Sequence, residues 1–139
     1  MIDKNIVLQI LKNNDLCVLS TASLSGKTES AIMALTVKDD FTLLMNTEPT
    51  SRKIVNLKVN QTVSVIIGGL KNDPSIQLDG VATLLEGDSA KSACSTMLSI
   101  HPELKDYGIE SGTFISIKPF WCRYSDFSKN PPEIAEVEL

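Results

Sequence analysis

Apolar residues recur along this chain at two spacings, and the switches between them mark the elements. Behind Asp3, a residue able to cap a helix, Ile6, Val7, Ile10 and Leu11 fall three to four residues apart, which predicts a helix to about Asn13. Leu16 to Thr21 reads as a mostly buried strand, followed by a turn at Ser23-Leu24-Ser25-Gly26 where Gly26 is free to take positive φ. The clearest alternation runs from Thr28 to Lys38. Ala31, Met33, Leu35 and Val37 share one face; Ser30, Ile32, Ala34 and Thr36 share the other. Asp39-Asp40 reverses the chain, and Phe41 to Met45 returns as the hairpin partner.

Pro49 then breaks regular structure, and Ile54 to Lys58 reads as one or two helical turns with Thr50 or Ser51 as cap. Gln61 to Ile67 is the next strand, and Gly68-Gly69 and Asn72-Asp73-Pro74 mark a loop. Ser75 to Leu85 reads as a long strand bent at Gly80, where a bulge is expected. Asp88 or Ser89 is placed to cap a second long helix carrying Ala90, Ala93, Cys94, Met97 and Leu98, ended by His101-Pro102. Gly112 to Ile117 and Trp121 to Tyr124 look like two further strands separated by Pro119, and the tail from Ser128 reads as irregular, within reach of a partner subunit. Six or seven short strands with helices at the connections predict a mainly β fold, a closed antiparallel barrel with peripheral helices. A length of 139 residues suits one domain, 1–139.

Composition narrows the function. The net charge of −4 leaves no broad basic face, so bulk nucleic-acid binding is not expected. The start lacks a charged-then-apolar signal pattern, and no apolar run approaches a bilayer-spanning length. Cys17, Cys94 and Cys122 are odd in number and widely spaced, as befits reduced thiols in a cytoplasmic setting.

Chemistry concentrates in Met45-Asn46-Thr47-Glu48-Pro49-Thr50-Ser51-Arg52-Lys53. The first turn of a helix usually favours acidic residues, yet this one carries Arg52 and Lys53. Free N–H groups, hydroxyls and two cations together have the composition of a phosphate site. A capped surface helix with two solvated bases is the competing reading. Elsewhere the inventory is plain. With His101 the single histidine, there is no zinc set of ordinary composition and no triad with a nucleophile elbow; His101 itself reads as a helix-end residue. Neither a GxGxxG nor a Walker pattern occurs. No residue stands out as a catalytic acid or base, so any enzymatic chemistry would have to come from a bound cofactor.

Several pieces, taken in order, carry a resemblance: Leu19-Ser20-Thr21 with the Gly26-Lys27 turn, the strand around Met33-Ala34-Leu35, Asn46-Thr47, Ser51-Arg52-Lys53, Leu78-Asp79-Gly80-Val81-Ala82, and the closing Pro119 to Asp126 segment. From about Asn5 to Phe127 the chain resembles the pyridoxamine 5′-phosphate oxidase-like proteins, the FMN-binding split β-barrels, in their short single-domain form. The resemblance implies a homodimer with FMN at the subunit interface. It implies that Ser51, Arg52 and Lys53 bind the phosphate with Thr47 as a hydroxyl contact and Asn46 beside it. It places the backbone of Met33, Ala34 and Leu35 along the isoalloxazine edge, and brings Gln77 to the ring from the other subunit. Trp121 and Arg123 would lie in the closing strand near the flavin, Trp121 serving equally well as a core or interface aromatic. Parent oxidases are longer and end in a basic substrate-binding segment. This chain ends Pro131-Pro132-Glu133-Ile134-Ala135-Glu136-Val137-Glu138-Leu139, so pyridoxamine 5′-phosphate is not the expected substrate. The expectation is a cytoplasmic FMN-dependent oxidoreductase. The alternatives are a non-catalytic flavin or phosphate-ligand stress protein, a deazaflavin protein, or a haem-binding split barrel.

Overall fold

The computed structural model describes residues 2–139. Its elements in order are α1 (Lys4–Lys12), β1 (Leu16–Ala22), β2 (Thr28–Ala34), β3 (Thr36–Val37), β4 (Leu43–Thr47), α2 (Arg52–Val59), β5 (Thr62–Gly68), β6 (Ser75–Leu85), α3 (Gly87–Ile100), β7 (Thr113–Asp126) and β8 (Glu133–Glu136). Two 3₁₀ turns, Pro102–Tyr107 and Ile109–Ser111, link α3 to β7. Asp3 caps α1 as expected, accepting from the Asn5 N–H at 2.8 Å. Of its apolar stripe, Val7 and Leu11 are buried, whereas Ile6 remains exposed.

All strand pairings are antiparallel, in the order β2-β1-β5-β6-β7-β4-β3, with β8 added on β7. The two ends of that order, β2 and β3, are consecutive in the chain and separated only by Leu35. The sheet therefore curls until one run of backbone supplies both of its edges. The hydrogen-bonded ladder does not close, which is the split barrel that the family resemblance implies; strand pattern alone suggests a closed one. β3 pairs β4 through Thr36↔Leu44 and Val37↔Leu43. On the other side of Leu35, β2 pairs β1 instead, from Leu16↔Ala34 onward. The Leu35 N–H donates to the Asp15 carbonyl at 2.8 Å and pins the change of partner.

The barrel interior is filled by the inward residues of the strands, among them Leu19, Met33, Leu43, Met45, Val65, Ile76, Leu78, Ile115 and Ile117. Ile54 and Leu57 of α2 join the same core, 4% and 2% exposed. Each such burial contributes about 2 kcal/mol, so an eight-residue helix is held by packing rather than propensity. A smaller cluster of Leu44, Ala93, Met97, Ile109 and Phe114 seats α3 on the outside of β4 and β7.

Four sequence expectations change here. The two strands expected within Gly112 to Tyr124 are one, β7, which starts at Thr113 and runs unbroken through Pro119. The ladder runs Asp79↔Trp121 and then Gly80↔Pro119, so Phe120 is the extra residue of the predicted bulge. A proline needs no ladder hydrogen bond at such a point. The tail contains β8, which pairs β7 from Arg123↔Glu136 to Asp126↔Glu133. Its Val137 and Leu139 reach the protein's own core, so apolar burial orders a segment whose composition looked irregular. The strand count is accordingly eight. Finally, α3 begins at Gly87, before the proposed caps; the Ser89 hydroxyl bonds back to the Glu86 carbonyl at 2.8 Å. Among the described residues no helix is long and apolar enough to cross a membrane.

Candidate functional site

Extending the β3–β4 register past Leu35 would set Leu35 against Met45, Ala34 against Asn46 and Met33 against Thr47. No such ladder forms, because β2 has turned to β1, although β2 and β4 still pass within 8 Å between Cα atoms. Met33-Ala34-Leu35 and Asn46-Thr47 are thus the two lips of the split. An edge strand presents unpaired N–H and C=O groups, and here they line a gap rather than an outer rim. The Met33 and Leu35 side chains point into the core, 6% and 1% exposed, and Ala34 is half-buried. Only backbone and one methyl are offered to a ligand from that lip.

The chain leaves β4 at Thr47 and enters α2 through the Ser51 N-cap, whose backbone is extended at φ −67°, ψ 152°. Ser51 occupies the cap position as predicted, but its side chain bonds no helix N–H. The Thr47 hydroxyl donates to the Ser51 hydroxyl instead, at 3.3 Å. The Ile54 N–H donates to the Ser51 carbonyl at 3.1 Å, which leaves the N–H groups of Arg52 and Lys53 without a side-chain acceptor at a positive dipole end, next to two hydroxyls. Lys53 follows, half-buried, and among the described residues no carboxylate lies within 4.0 Å of its amine. Free N–H groups, hydroxyls and an unpaired ammonium suit the phosphate of a nucleotide.

Arg52 sits differently. Its Nη1 lies 2.9 Å from Glu29 Oε1, with side chains 78% and 14% exposed respectively. The other carboxylate oxygen of Glu29 accepts from Asn56 Nδ2 at 3.0 Å, and the same amide donates to Thr21 Oγ1 at 3.0 Å. Asn56 and Thr21 are buried. Asn46 is also engaged locally, donating to the carbonyls of Ile109 and Thr113 at 3.1 and 3.4 Å. A Cβ on Gly112 would come within 2.5 Å of that amide, so the glycine is what lets Asn46 tie β4 to the loop before β7.

Gln77 and Trp121 are not at the split. Gln77 is exposed on β6 in a cross-strand row, Ile32–Val18–Ile66–Gln77–Arg123–Glu136, on the outside of the sheet. Trp121, half-buried, lies opposite Asp79, eight residues along β7 from Thr113, the partner of Thr47. That is roughly 26 Å of strand. One copy of the chain therefore joins Met33–Leu35 to Asn46–Lys53 and leaves Gln77 and Trp121 on another face.

Sequence reading missed Glu29, Asn56 and Thr21. A signal for the first existed: Glu29 has the parity of Ala31, Met33 and Leu35, and a charge on an apolar face calls for a partner. Asn56 stands four residues after Arg52, on the same side of a helix. Next to the split, Cys17 faces Met33 in the ladder, and burial pushes its thiol up to about 12. It stays protonated at neutral pH and supplies no nucleophile.

Two clefts lie elsewhere. One of about 210 Å³ runs between α3 and the sheet, lined by Lys38, Thr42, Ser89, Thr96 and Ser116 among others. The other, about 140 Å³, is bounded by Leu11, Lys12, Asn14, Leu35, Val37, Ile100 and His101. Both fall short of the ~300 Å³ at which small-molecule sites begin. His101 Nδ1 is 3.4 Å from Glu103 at the end of α3, a helix-end position as expected.

A split barrel whose gap adjoins a hydroxyl-lined helix N-terminus is the class this geometry defines. Residues 4–126 match the pyridoxamine 5′-phosphate oxidase family, and the chain belongs to it. Among curated proteins no sequence matches significantly. Among solved structures, general stress protein 26 from Bacillus anthracis is similar at 25% identity and TM-score 0.71, the match covering 96% of this chain and 98% of that one. A heme binding protein from Mycobacterium smegmatis aligns at 16% identity and TM-score 0.75 over 92% of this chain; the chain spans about half of that protein, 54%. HutZ, a heme storage protein from Vibrio cholerae, aligns at 14% identity and TM-score 0.68, covering 86% and 91% of the two chains.

Proposed function

We propose that the protein is an FMN-binding oxidoreductase that works as a homodimer. The observation that carries this reading is the junction of the split with the α2 N-terminus. In the Met33–Leu35 run, Ala34 turns its backbone groups away from β1, because Leu35 bonds Asp15 and hydrogen-bonded pairs alternate along the ladder. That edge is suited to the polar rim of a flat ring, while Thr47, Ser51, the first α2 N–H groups and Lys53 are suited to its phosphate. Bound there, FMN would carry the electron transfer, and the chain's own residues would hold the phosphate, orient the ring and exclude water.

The outer row supports the dimer. Ile32 is 71% exposed, Leu16 58% and Ile66 40%, an apolar surface running up to Gln77. A second copy covering that face would bury it and bring Gln77 and Trp121 toward a neighbour's split. A haem ligand is the second reading, favoured by the two haem-related neighbours. His101 argues against an axial role, since the cleft it borders is small, about 140 Å³, and it lies beside Glu103.

One experiment tests the reading: the visible spectrum and light-scattering mass of the purified protein after addition of FMN and gel filtration. A dimer retaining near one flavin per subunit is expected. A monomer without flavin would defeat the proposal, and a Soret band after haem addition in its place would move it to the second reading.

A further inference from the structure

We infer that the two adjacent cations of α2 have different jobs: Lys53 grips the ligand phosphate, whereas Arg52 is a positioning residue that latches α2 to the β1–β2 hairpin through Glu29. This division rests on the proposed phosphate site and assigns roles within it.

Consecutive helical residues are about 100° apart around the axis, so Arg52 and Lys53 cannot face the same way. Arg52 shares a face with Asn56, one turn on, and both converge on Glu29. Glu29 stands on the core-facing side of β2, directly across the ladder from buried Thr21. The four residues form one chain of contacts, Arg52–Glu29–Asn56–Thr21, at 2.9, 3.0 and 3.0 Å. It ties the first and second turns of α2 to both strands of the hairpin.

A carboxylate with so little access to water needs its charge paired and its oxygens bonded. Arg52 supplies the charge and Asn56 the second bond. A phosphate that drew Arg52 away would leave Glu29 buried with one amide for company. That loss exceeds what one more exposed contact to the phosphate returns. Lys53 carries no such obligation, since among the described residues no carboxylate reaches it, and it follows Ser51, whose hydroxyl accepts from Thr47, by two residues in the first turn of α2. What the latch gives the ligand is indirect: it fixes where the helix N–H groups point.

The test compares FMN with riboflavin, which lacks the phosphate, on the wild-type chain and on Lys53→Met, Arg52→Met and Glu29→Gln. In parallel, thermal unfolding without ligand is measured for Arg52→Met, Glu29→Gln and the double variant. Lys53→Met is expected to cut the preference for FMN over riboflavin by about tenfold to a hundredfold, the effect of a lost charge-assisted bond. Arg52→Met and Glu29→Gln are expected to weaken both flavins together, leaving the preference unchanged within about threefold, a shift smaller than the loss of a direct charged contact. Each is expected to lower the unfolding temperature, and the double variant is expected to lose no more than the worse single one. An equal fall in phosphate preference for Arg52→Met and Lys53→Met overturns the inference, as does additivity in the unfolding cycle. If the wild-type chain binds neither flavin, the proposed function fails, and the unfolding cycle alone decides whether the latch exists.

Discussion

The sheet's ladder is interrupted twice, at Leu35 and at Gly80–Pro119, and the two interruptions are built in opposite ways. At Gly80 the extra residue Phe120 is turned out and the space beneath is filled. A Cβ there would stand 2.8 Å from the Lys118 carbonyl and 2.9 Å from Ile117 Cγ2. The backbone groups that lose partners do so next to a proline, which has no N–H to leave unpaired. At Leu35 the ladder changes partner instead. The two lips diverge, β2 to β1 and β4 to β7, and the Thr47 and Ser51 hydroxyls lie at one end with Lys53 two residues on. An irregularity closed by packing is a device for bending a sheet; one flanked by donors is where we propose the ligand.

That contrast can be broken most forcefully at the bulge. Gly80→Ala is expected to destabilise the fold by about 3 kcal/mol, the upper part of the range for overpacking, because one colliding atom is backbone and cannot step aside. Urea unfolding measures it, and a loss under about 1 kcal/mol would mean that the bulge has slack like the split.

Each interruption also has a buried thiol beside it: Cys17 opposite Met33 near the split, Cys122 opposite Leu78 near the bulge. Burial raises Cys17 from 9.0 to about 12 and Cys122 from 9.0 to about 11. A raised folded-state value favours the fold below pH 9 and is lost as pH climbs through it. Stability should therefore fall from about pH 9 upward, by on the order of 2 kcal/mol at pH 10.5 for Cys17 alone. Thermal scans between pH 8 and 10.5 on Cys17→Ala, Cys122→Ala and the wild type check this: each alanine should flatten the fall, and equal slopes in all three would refute it.

The smallest effect sharpens the comparison at the split. Thr36, the first residue of β3, is 1% exposed with its hydroxyl unpartnered. Thr36→Val keeps its shape and removes that unmet group, so it should stabilise the chain by about 1 kcal/mol. A measured loss of that size would show that the hydroxyl has a partner when the protein is in solution.

Much of this was legible in the sequence, for a physical reason. Alternation in Thr28–Lys38 and the helical stripe behind Asp3 are local, so burial pattern and element coincide. Glycine at 80 announced the bulge because only a missing Cβ permits that approach. The strand through Pro119 was misread because a proline normally ends a ladder, and its tolerance depends on Gly80 lying opposite, 39 residues earlier. The tail was misread because β8 has weak alternation of its own and is ordered by an edge of β7 and by burial of Val137. At the site, the phosphate-like composition of Thr47–Lys53 was visible. The different tasks of Arg52 and Lys53 were not, since they depend on Glu29 arriving from another strand.

The run from Thr28 to Val37 has a mechanical consequence. Because its two halves form opposite edges of one sheet, the sheet behaves as a spring clip whose hinge is Leu35. Any molecule that wedges the lips apart or draws them together must strain that hinge, and the strain reaches β1 and β4 at once without travelling through the interior. The Leu35 amide, held by Asp15 outside either ladder, is the gauge on the clip: its rate of hydrogen exchange would register occupancy of the gap from the far side of the backbone.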